Sequence, residues 1–293
     1  MKKPLLKFLA VGAVAALALT GCSSDGGDAS ASDKKITIAV FNGWDEGIAA
    51  SELWAAILDE KGYDVELEYA DVAPVYSGLS SKDYDVVLDT WLPSTHADYI
   101  EEYGDDLVDL GYWNDEAKLT IAVNEDAPIK SLDELADNAD TFNNTITGIE
   151  PGAGLTRITQ DDVIPGYGLD KMDYLTSSTA AMLTELRSAE KNNEDIVVTL
   201  WKPHWAYDEF KIRDLEDPKG LLGGSEKLHS FSRIGFADDQ PEVNEWFTNF
   251  TMSSDLLFSL ENAMFSGDKV DDYRPIVTKW ISENQEYVDS LTK

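Results

Sequence analysis

Short apolar runs alternate with helical patterns along most of the chain. Residues 36–41 form a nearly continuous apolar run, and residues 48–58 carry apolar side chains at the spacing of one helix face. Further strand-like runs follow, with helical patterns between them, at 65–69, 84–89, 119–123, 145–149 and 196–200. This alternation predicts an α/β fold in which parallel-rich sheets are flanked by helices.

Strand patterns stop after about residue 236. Residues 242–293 have the pattern of amphipathic helices, and Val243, Trp246, Phe247 and Phe250 fall on one stripe. The tryptophans at 54, 246 and 280 are predicted to be core residues. About 260 residues with this many elements exceed what one doubly wound sheet usually holds, so two α/β lobes are expected.

The N-terminus has the pattern of a targeting segment. Three lysines precede an apolar run of 12 residues, from Phe8 to Leu19, which is too short to span a bilayer. The run ends in Leu-Thr-Gly-Cys22, which resembles a bacterial lipobox. We therefore expect residues 1–21 to be a signal peptide and Cys22 to be lipidated. Residues 22–34, almost without apolar side chains, are predicted to form a flexible tether behind that anchor.

The net charge of the chain is −33 at pH 7. Loss of the predicted signal peptide would remove three lysines and no acids, which makes the mature chain more negative still. Such a chain repels nucleic acid and anionic lipid surfaces, so no nucleic-acid partner is expected. The acids are scattered along the chain. This fits general solubility or adaptation to high salt, and it identifies no ligand.

Three tryptophans follow predicted strands directly. Trp44, Trp91 and Trp201 come after the runs at 36–41, 86–90 and 197–200. Ligands in α/β folds bind at the carboxyl ends of strands, so these rings are candidates for one site. A cluster of tryptophans either stacks on sugars or encloses a cation, and at this point both remain open. A quaternary ammonium group has no N–H to donate, but its diffuse charge is attracted to the faces of indole rings.

A glycine-rich turn supplies a candidate anion site. A predicted strand ends at Ile149, Gly152 and Gly154 follow, and a helix is expected to begin near Leu155. Free amides at a helix N-terminus bind anions, and glycines allow close approach. No Gly-Lys-Ser/Thr ending is present, so a phosphate loop is excluded and a carboxylate fits better.

Histidine is scarce and scattered. His96 follows Trp91 by five residues and is expected in the first turn of a helix capped by Ser94 or Thr95, where its ring could donate to an anion. His204 and His229 are predicted to be structural. The three histidines lack metal-ligand spacing, and there is no Gly-x-Ser-x-Gly motif, so neither a metal, a cofactor nor catalysis is expected. The 56 acids leave a glycosidase pair open.

Four segments together resemble glycine betaine/proline betaine substrate-binding proteins of osmoregulatory ABC importers. They are residues 42–46 (NGWDE), 88–96 (LDTWLPSTH), 148–155 (GIEPGAGL) and 199–205 (TLWKPHW). The resemblance implies that Trp44, Trp91 and Trp201 box a trimethylammonium group. It further implies that the amides of Gly154 and Leu155 take the ligand's carboxylate with help from His96, and that Trp205 packs behind Trp201.

The resemblance also implies a two-lobed, type II periplasmic-binding-protein-like (Venus-flytrap) fold that closes on its ligand. Hinge crossings near 120–125 and 229–236 would give one lobe of residues 35–122 plus 236–293 and another of 123–235. The expected protein is a monomer outside the cytoplasm of a Gram-positive cell, held by its lipid anchor and serving a membrane-embedded ABC permease.

The sequence leaves open other ligands and one other functional class of protein. A binding protein for choline, carnitine or ectoine would have the same fold. Asp45 and Glu46, which follow Trp44 directly, keep choline in view because its hydroxyl needs an acceptor. A secreted carbohydrate-active enzyme with tryptophan platforms is the alternative from a different functional class.

Overall fold

The computed structural model describes residues 34–267 and 269–293. The predicted signal peptide, Cys22 and nearly all of the tether lie outside the described residues. The strands are β1 (Lys35–Phe41), β2 (Asp64–Ala70), β3 (Val86–Leu92), β4 (Leu107–Asn124), β5 (Thr145–Thr147), β6 (Asp173–Leu175), β7 (Val197–Lys202), β8 (Ile212–Asp214) and β9 (Glu226–Arg233). No helix among the described residues is long and apolar enough to cross a membrane.

The helices cover these strands and follow them in the chain. They are α1 (Asp45–Glu60), α2 (Val72–Ser81), α3 (Ala97–Tyr103), α4 (Gly154–Ile158), α5 (Ile164–Tyr167), α6 (Thr179–Asn192), α7 (Ala206–Glu209), α8 (Phe236–Asp239), α9 (Pro241–Thr248), α10 (Ser254–Phe265), α11 (Arg274–Glu283) and α12 (Gln285–Ser290). Short 3₁₀ segments precede β4 and β5, and one π-helical turn joins α4 to α5.

The strands pair in the order β2-β1-β3-β9-β4-β7-β5-β6, and β8 pairs with β4. β4 is 18 residues long and changes partners along its length: residues 107–117 pair with β9, and residues 118–124 pair with β7 and β8. We call β2, β1, β3, β9 and the first part of β4 the first sheet. The second sheet consists of the second part of β4 with β7, β8, β5 and β6.

The α/β fold predicted from the sequence is confirmed, and each predicted strand run overlaps a strand. Pairing is more mixed than expected, because β9 runs antiparallel to β3 and β4 runs antiparallel to β7, β8 and β9. Strand β9 and the first part of β4 were not predicted. The register between them shifts three times, so exposed and buried positions do not alternate regularly, and a period of two is not visible in the sequence.

Backbone pairing divides the strands between the two sheets at positions other than the expected lobe boundaries. The sequence-based division placed residues 226–233 in the second lobe, but as β9 they pair with β3 and belong to the first sheet. At the other crossing, β4 changes partners between Ala117 and Lys118, a few residues before the expected hinge. Position in a sheet depends on long-range hydrogen bonds, which local composition does not encode.

The C-terminal region is helical from residue 236, as predicted, and α10 and α11 pack on α1. Trp54 of α1 is fully buried and meets Phe247 and Phe250 edge-on, with ring centroids 4.8 and 5.3 Å apart. Burying each such ring contributes roughly 1.5–3 kcal/mol, so this contact fixes α1 to the C-terminal helices. Helix α1, whose first turn bears Asp45 and Glu46, also packs on β1, β2 and β3 of the first sheet.

Candidate ligand-binding site

The three tryptophans singled out in the sequence line one cavity between the two sheets. Trp44 precedes α1, whereas Trp91 and Trp201 are the last but one residues of β3 and β7. The two latter rings therefore stand within their strands, and not after them as expected. About 260 Å³ of space not filled by atoms, part of it open to solvent, lies between these residues, and the wall is mostly apolar. The remaining lining residues are Glu46, Thr95, Leu119, Ile149, Ala153 and Leu155.

Each indole N–H of the cavity donates to a carboxylate. Trp91 Nε1 donates to Glu46 Oε1 at 3.2 Å and to Asp89 Oδ1 at 2.9 Å. Trp201 Nε1 donates to Glu46 Oε2 at 2.8 Å. Trp44 Nε1 donates to Glu150 Oε2 at 3.4 Å. The polar edges of all three rings are thus occupied, and each ring is held in one orientation.

Two of the carboxylates that hold the rings, Glu46 and Asp89, are buried, and so is Asp45 beside Glu46. Glu46, Asp45 and Asp89 are at most 9% exposed. Burial raises the pKa of Glu46 to about 8 and the pKa of Asp45 to about 7, although the indole hydrogen bonds oppose the rise. Burial, together with the charge of Glu46, also raises the pKa of Asp89 well above its ordinary value. A cation beside these groups would favour their ionised forms and lower their pKa values again.

His96 lies behind the wall of the cavity. It is the residue that precedes α3, one position earlier than predicted, and neither Ser94 nor Thr95 caps that helix. Its ring stacks on Trp44, with centroids 5.4 Å apart and planes 7° from parallel. Nδ1 accepts the backbone N–H of Trp91 at 2.8 Å, so the hydrogen of the neutral ring is on Nε2.

The Nε2 atom of His96 is a buried donor without an acceptor among the described residues. Burial, with a smaller contribution from Arg157, lowers the pKa of the ring to about 3. The ring is therefore neutral at physiological pH. A buried N–H that lacks a partner costs roughly 1–3 kcal/mol, which an anionic ligand group could recover.

The predicted helix start is confirmed. Helix α4 begins at Gly154, and its first hydrogen bond runs from Arg157 N to Ala153 O at 3.1 Å. The amides of Gly154 and Leu155 precede that bond and have no intrahelical acceptor. Leu155 lines the cavity; Gly154 does not, but it adjoins Ala153 and Leu155, which do.

Gly154 packs directly against the chain of the first sheet. A Cβ at this position would lie 2.0 Å from the carbonyl oxygen of Thr95, so no larger residue fits without moving one backbone. The loop on the other side is held by Glu226, which accepts the amides of Ser94 and Thr95 at 3.1 and 3.0 Å. The start of α4 and the loop after Trp91 therefore meet at close range.

Trp205 and His204 stand outside the cavity. His204 contacts Trp201 edge-on, with centroids 4.8 Å apart, and also contacts the ring of Trp205 at 5.6 Å. Both rings contact His204, and direct packing on Trp201 stays a prediction for Trp205. Its Nε1 donates to Asp45 Oδ2 at 2.5 Å. Burial lowers the pKa of His204 to about 3, and His229 pairs with Asp109 in the sheet at 3.0 Å, which fits structural roles for both.

Sequence reasoning missed the carboxylates of the site. Glu46 and Asp45 had been considered only as choline acceptors, and Asp89, Glu150 and Glu226 had no assigned role. One signal was present, since Trp44 and Trp91 each have an acid within two residues. Among 56 acidic residues, however, that signal does not single out the buried ones.

Comparison with known proteins places these features in a family. The chain matches the substrate-binding domain of ABC-type glycine betaine transport systems over residues 34–283. The glycine betaine/carnitine transport binding protein GbuC of Listeria monocytogenes is 35% identical over 162 residues, which are 55% of this chain and 53% of that protein. The match thus spans about half the length of this relative.

Solved structures agree over a longer part of the chain. Lactococcal OpuAC, in its closed conformation with glycine betaine, has a TM-score of 0.82 at 29% identity and covers 89% of this chain and 100% of its own. ProX of Borrelia burgdorferi scores 0.81 at 30% identity, with coverages of 89% and 97%. An ABC-transporter choline binding protein in complex with choline scores 0.81 at 26% identity, with coverages of 90% and 93%. The chain belongs to the family of substrate-binding domains of ABC-type glycine betaine transport systems.

Proposed function

We propose that this protein captures glycine betaine, and also proline betaine, outside the cytoplasm and delivers it to an ABC permease for osmoprotection. The observation that carries the proposal is the cavity in which Trp44, Trp91 and Trp201 meet beside the free amides that open α4. Rings attract the ammonium end and amides the carboxylate end of one zwitterion. The protein has no catalytic step in this proposal.

The two sheets serve as two lobes in this proposal. The pairing of β4 and β9 favours lobes of residues 35–117 plus 226–293 and 118–225. Trp44, Trp91 and His96 then belong to one lobe, and Trp201, Gly154 and Leu155 belong to the other. A ligand that touches both lobes favours the closed form by its differential affinity for that form.

A panel of ligands tests the function. Thermal unfolding and calorimetry would be carried out with glycine betaine, proline betaine, carnitine, choline, ectoine and maltose. A bound betaine in hundredfold to thousandfold excess over its Kd adds roughly 2.7–4 kcal/mol of stability. Trp91→Ala or Trp201→Ala is expected to weaken betaine binding at least about tenfold, since one ring contributes on the order of 1–2 kcal/mol.

Trp280→Ala is the matched control, because Trp280 is buried in α11 away from the cavity. It should lower thermal stability and leave betaine affinity unchanged. Unaltered affinity in both cage variants, or binding of maltose in preference to every betaine, would contradict the proposal.

Choline is the second candidate ligand. The carboxylate of Glu46 lines the cavity and would accept from a hydroxyl group, and the fold is similar to that of a choline-binding protein. Against it, the free amides of α4 and the Nε2 of His96 are donors, which suit a carboxylate better. The ligand panel separates the two.

The proposal includes attachment of the mature chain to the outer face of the membrane through Cys22, and a monomeric state. Metabolic labelling with an alkyne fatty acid should mark the wild-type protein and not Cys22→Ser. Equal labelling of the two proteins would remove the anchor from the proposal. Size-exclusion chromatography with light scattering tests the monomer.

A further inference from the structure

Glu46 contacts tryptophans from both sheets at once. Its side chain is in the first turn of α1 and is 1% exposed. One carboxylate oxygen accepts from Trp91 on β3, and the other accepts from Trp201 on β7. Trp91 has a second acceptor in Asp89, whereas Glu46 is the one hydrogen-bond partner that the structure records for the indole N–H of Trp201.

We propose that Glu46 is the positioning residue and counter-charge of the cage: it joins the two tryptophans across the sheets, so that assembly of the cage and closure of the cleft become one event. This inference rests on the proposed function, since it concerns the same cavity. It adds Glu46 as a residue that acts on the ligand through the tryptophan rings. It also gives a reason why the cavity would bind a cation.

The hydrogen-bond pattern requires acceptors on both carboxylate oxygens. An ionised carboxylate is acceptor-only and satisfies two indole donors. An amide of the same shape satisfies one donor and turns its own NH₂ group toward the other. Glu46→Gln is therefore a near-isosteric change that breaks one of the two links and leaves a group that cannot ionise.

The charged groups around Glu46 are acids. Asp45, Asp89 and Glu261 are buried and act on it or on each other through their charges, and His204 has its Nε2 3.7 Å from Asp45. Buried like charges repel, and burial itself disfavours ionisation. A quaternary ammonium group in a cavity lined by Glu46 would supply the opposite charge. The ligand and the two ring contacts would thus stabilise the same ionised state.

A double-mutant cycle tests the link through Trp201. Glu46→Gln, Trp201→Phe and the double variant would be titrated calorimetrically with glycine betaine and with tetramethylammonium, which is the cation alone. Phenylalanine keeps a ring and removes the N–H. Glu46→Gln should weaken both ligands about tenfold or more, as expected for hydrogen bonds to a charged group. In the Trp201→Phe background the same change should cost clearly less, because the shared contact is already absent.

Glu261→Gln is the matched control. Glu261 is equally buried in the same acidic group, but no indole N–H among the described residues donates to its side-chain oxygens. Its neutralisation should not weaken either ligand. If Glu46→Gln binds both ligands like the wild type, or if the two changes add independently, the proposal is overturned.

A second measurement needs no variant at position 46. Indole ¹⁵N–H resonances of Trp91 and Trp201, assigned by Trp→Phe changes, should shift together during a pH titration, because both donate to one carboxylate. Asp89 also accepts from Trp91, so that resonance can show a second transition; a titration with no midpoint common to the two rings would overturn the proposal. Tetramethylammonium binding that depends on Glu46, without betaine binding, would leave the inference standing and remove the betaine function. Binding of neither ligand would remove both.

Discussion

His96 contributes to the site in two directions. Its Nδ1 accepts the amide of Trp91, its ring stacks on Trp44, and its Nε2 carries a hydrogen without an acceptor among the described residues. The first two contacts hold the neighbouring rings in place, and the third is the donor that we propose for the carboxylate of the ligand. Because its pKa is lowered to about 3, the ring donates as a neutral imidazole at any physiological pH.

His96→Phe separates these roles. Phenylalanine keeps a ring against Trp44 but offers no N–H, so glycine betaine should bind at least about tenfold more weakly, as expected when a hydrogen bond to a charged group is lost. Tetramethylammonium has no carboxylate and should lose less affinity; it is the matched ligand control in the same calorimetric experiment. If both ligands lost the same affinity, His96 would act only by holding the tryptophan rings in place and would not bind the carboxylate.

The elements meet most closely where α4 begins. Gly154 stands against the carbonyl of Thr95, and Glu226 of β9 holds the loop that carries Thr95. Helix α4 follows the second sheet, and the loop follows β3 of the first, so this contact forms only when the two sheets are together. The end of β3, the start of α4 and the loop that Glu226 holds therefore lie around one cavity.

Gly154→Ala should impair binding by keeping these elements apart. Its Cβ would meet backbone at 2.0 Å, which no side-chain rotation relieves, so betaine affinity should fall more than tenfold while the chain still folds. Gly152→Ala is the control in the same turn, because its Cβ would meet only the hydroxyl of Tyr99 at 3.5 Å. Calorimetry and small-angle scattering measure both effects. Similar affinity in the two variants would refute the close-contact argument.

At the scale of the whole molecule, buried acids link stability to pH. Asp45 and Glu46 have pKa values of about 7 and about 8 in the folded protein, against ordinary values of 3.8 and 4.5. Between these limits the folded state holds protons that the unfolded chain has lost. Their contribution to stability is complete below about pH 4 and is lost as the pH rises through 7 and 8.

The buried histidines act in the opposite sense and below neutrality. His96 and His204 have folded pKa values of about 3 against 6.5, so their contribution is lost as the pH falls from about 6.5. Above pH 6.5, the pH dependence of the free energy of unfolding therefore arises mainly from the buried acids.

We expect the free energy of unfolding without ligand to fall between pH 6.5 and pH 8.5, by on the order of 1–3 kcal/mol. Urea unfolding at three pH values measures this. Glu46→Gln should flatten the slope, and saturating betaine should do the same because a cation favours the ionised acid. Glu60→Gln, at the exposed end of the same helix, should leave the slope unchanged. A slope that is flat in the wild-type protein would contradict the buried-acid argument.

The local sequence alone determined the class of the fold and the three tryptophans that line the cavity. Apolar periodicity placed α1 and most strands, and Trp44, Trp91, Trp201 and the start of α4 were found where strand patterns end. These features depend on neighbouring residues in the chain. The bulged pairing of β4 with β9 broke the alternation on which strand prediction depends, so β9 and the first part of β4 were not predicted.

Only the tertiary structure decided which acids belong to the site. Trp201 and Glu46 are 155 residues apart in the chain, and Trp44 and Glu150 are 106 apart, yet each pair shares a hydrogen bond. The chain has 56 acidic residues, and the sequence does not distinguish a carboxylate exposed to water from one that accepts a hydrogen bond from a buried indole. Burial and distance distinguish them, and both arise only when the two sheets come together. The tautomer of His96 was decided in the same way, by the amide that its ring meets in the fold.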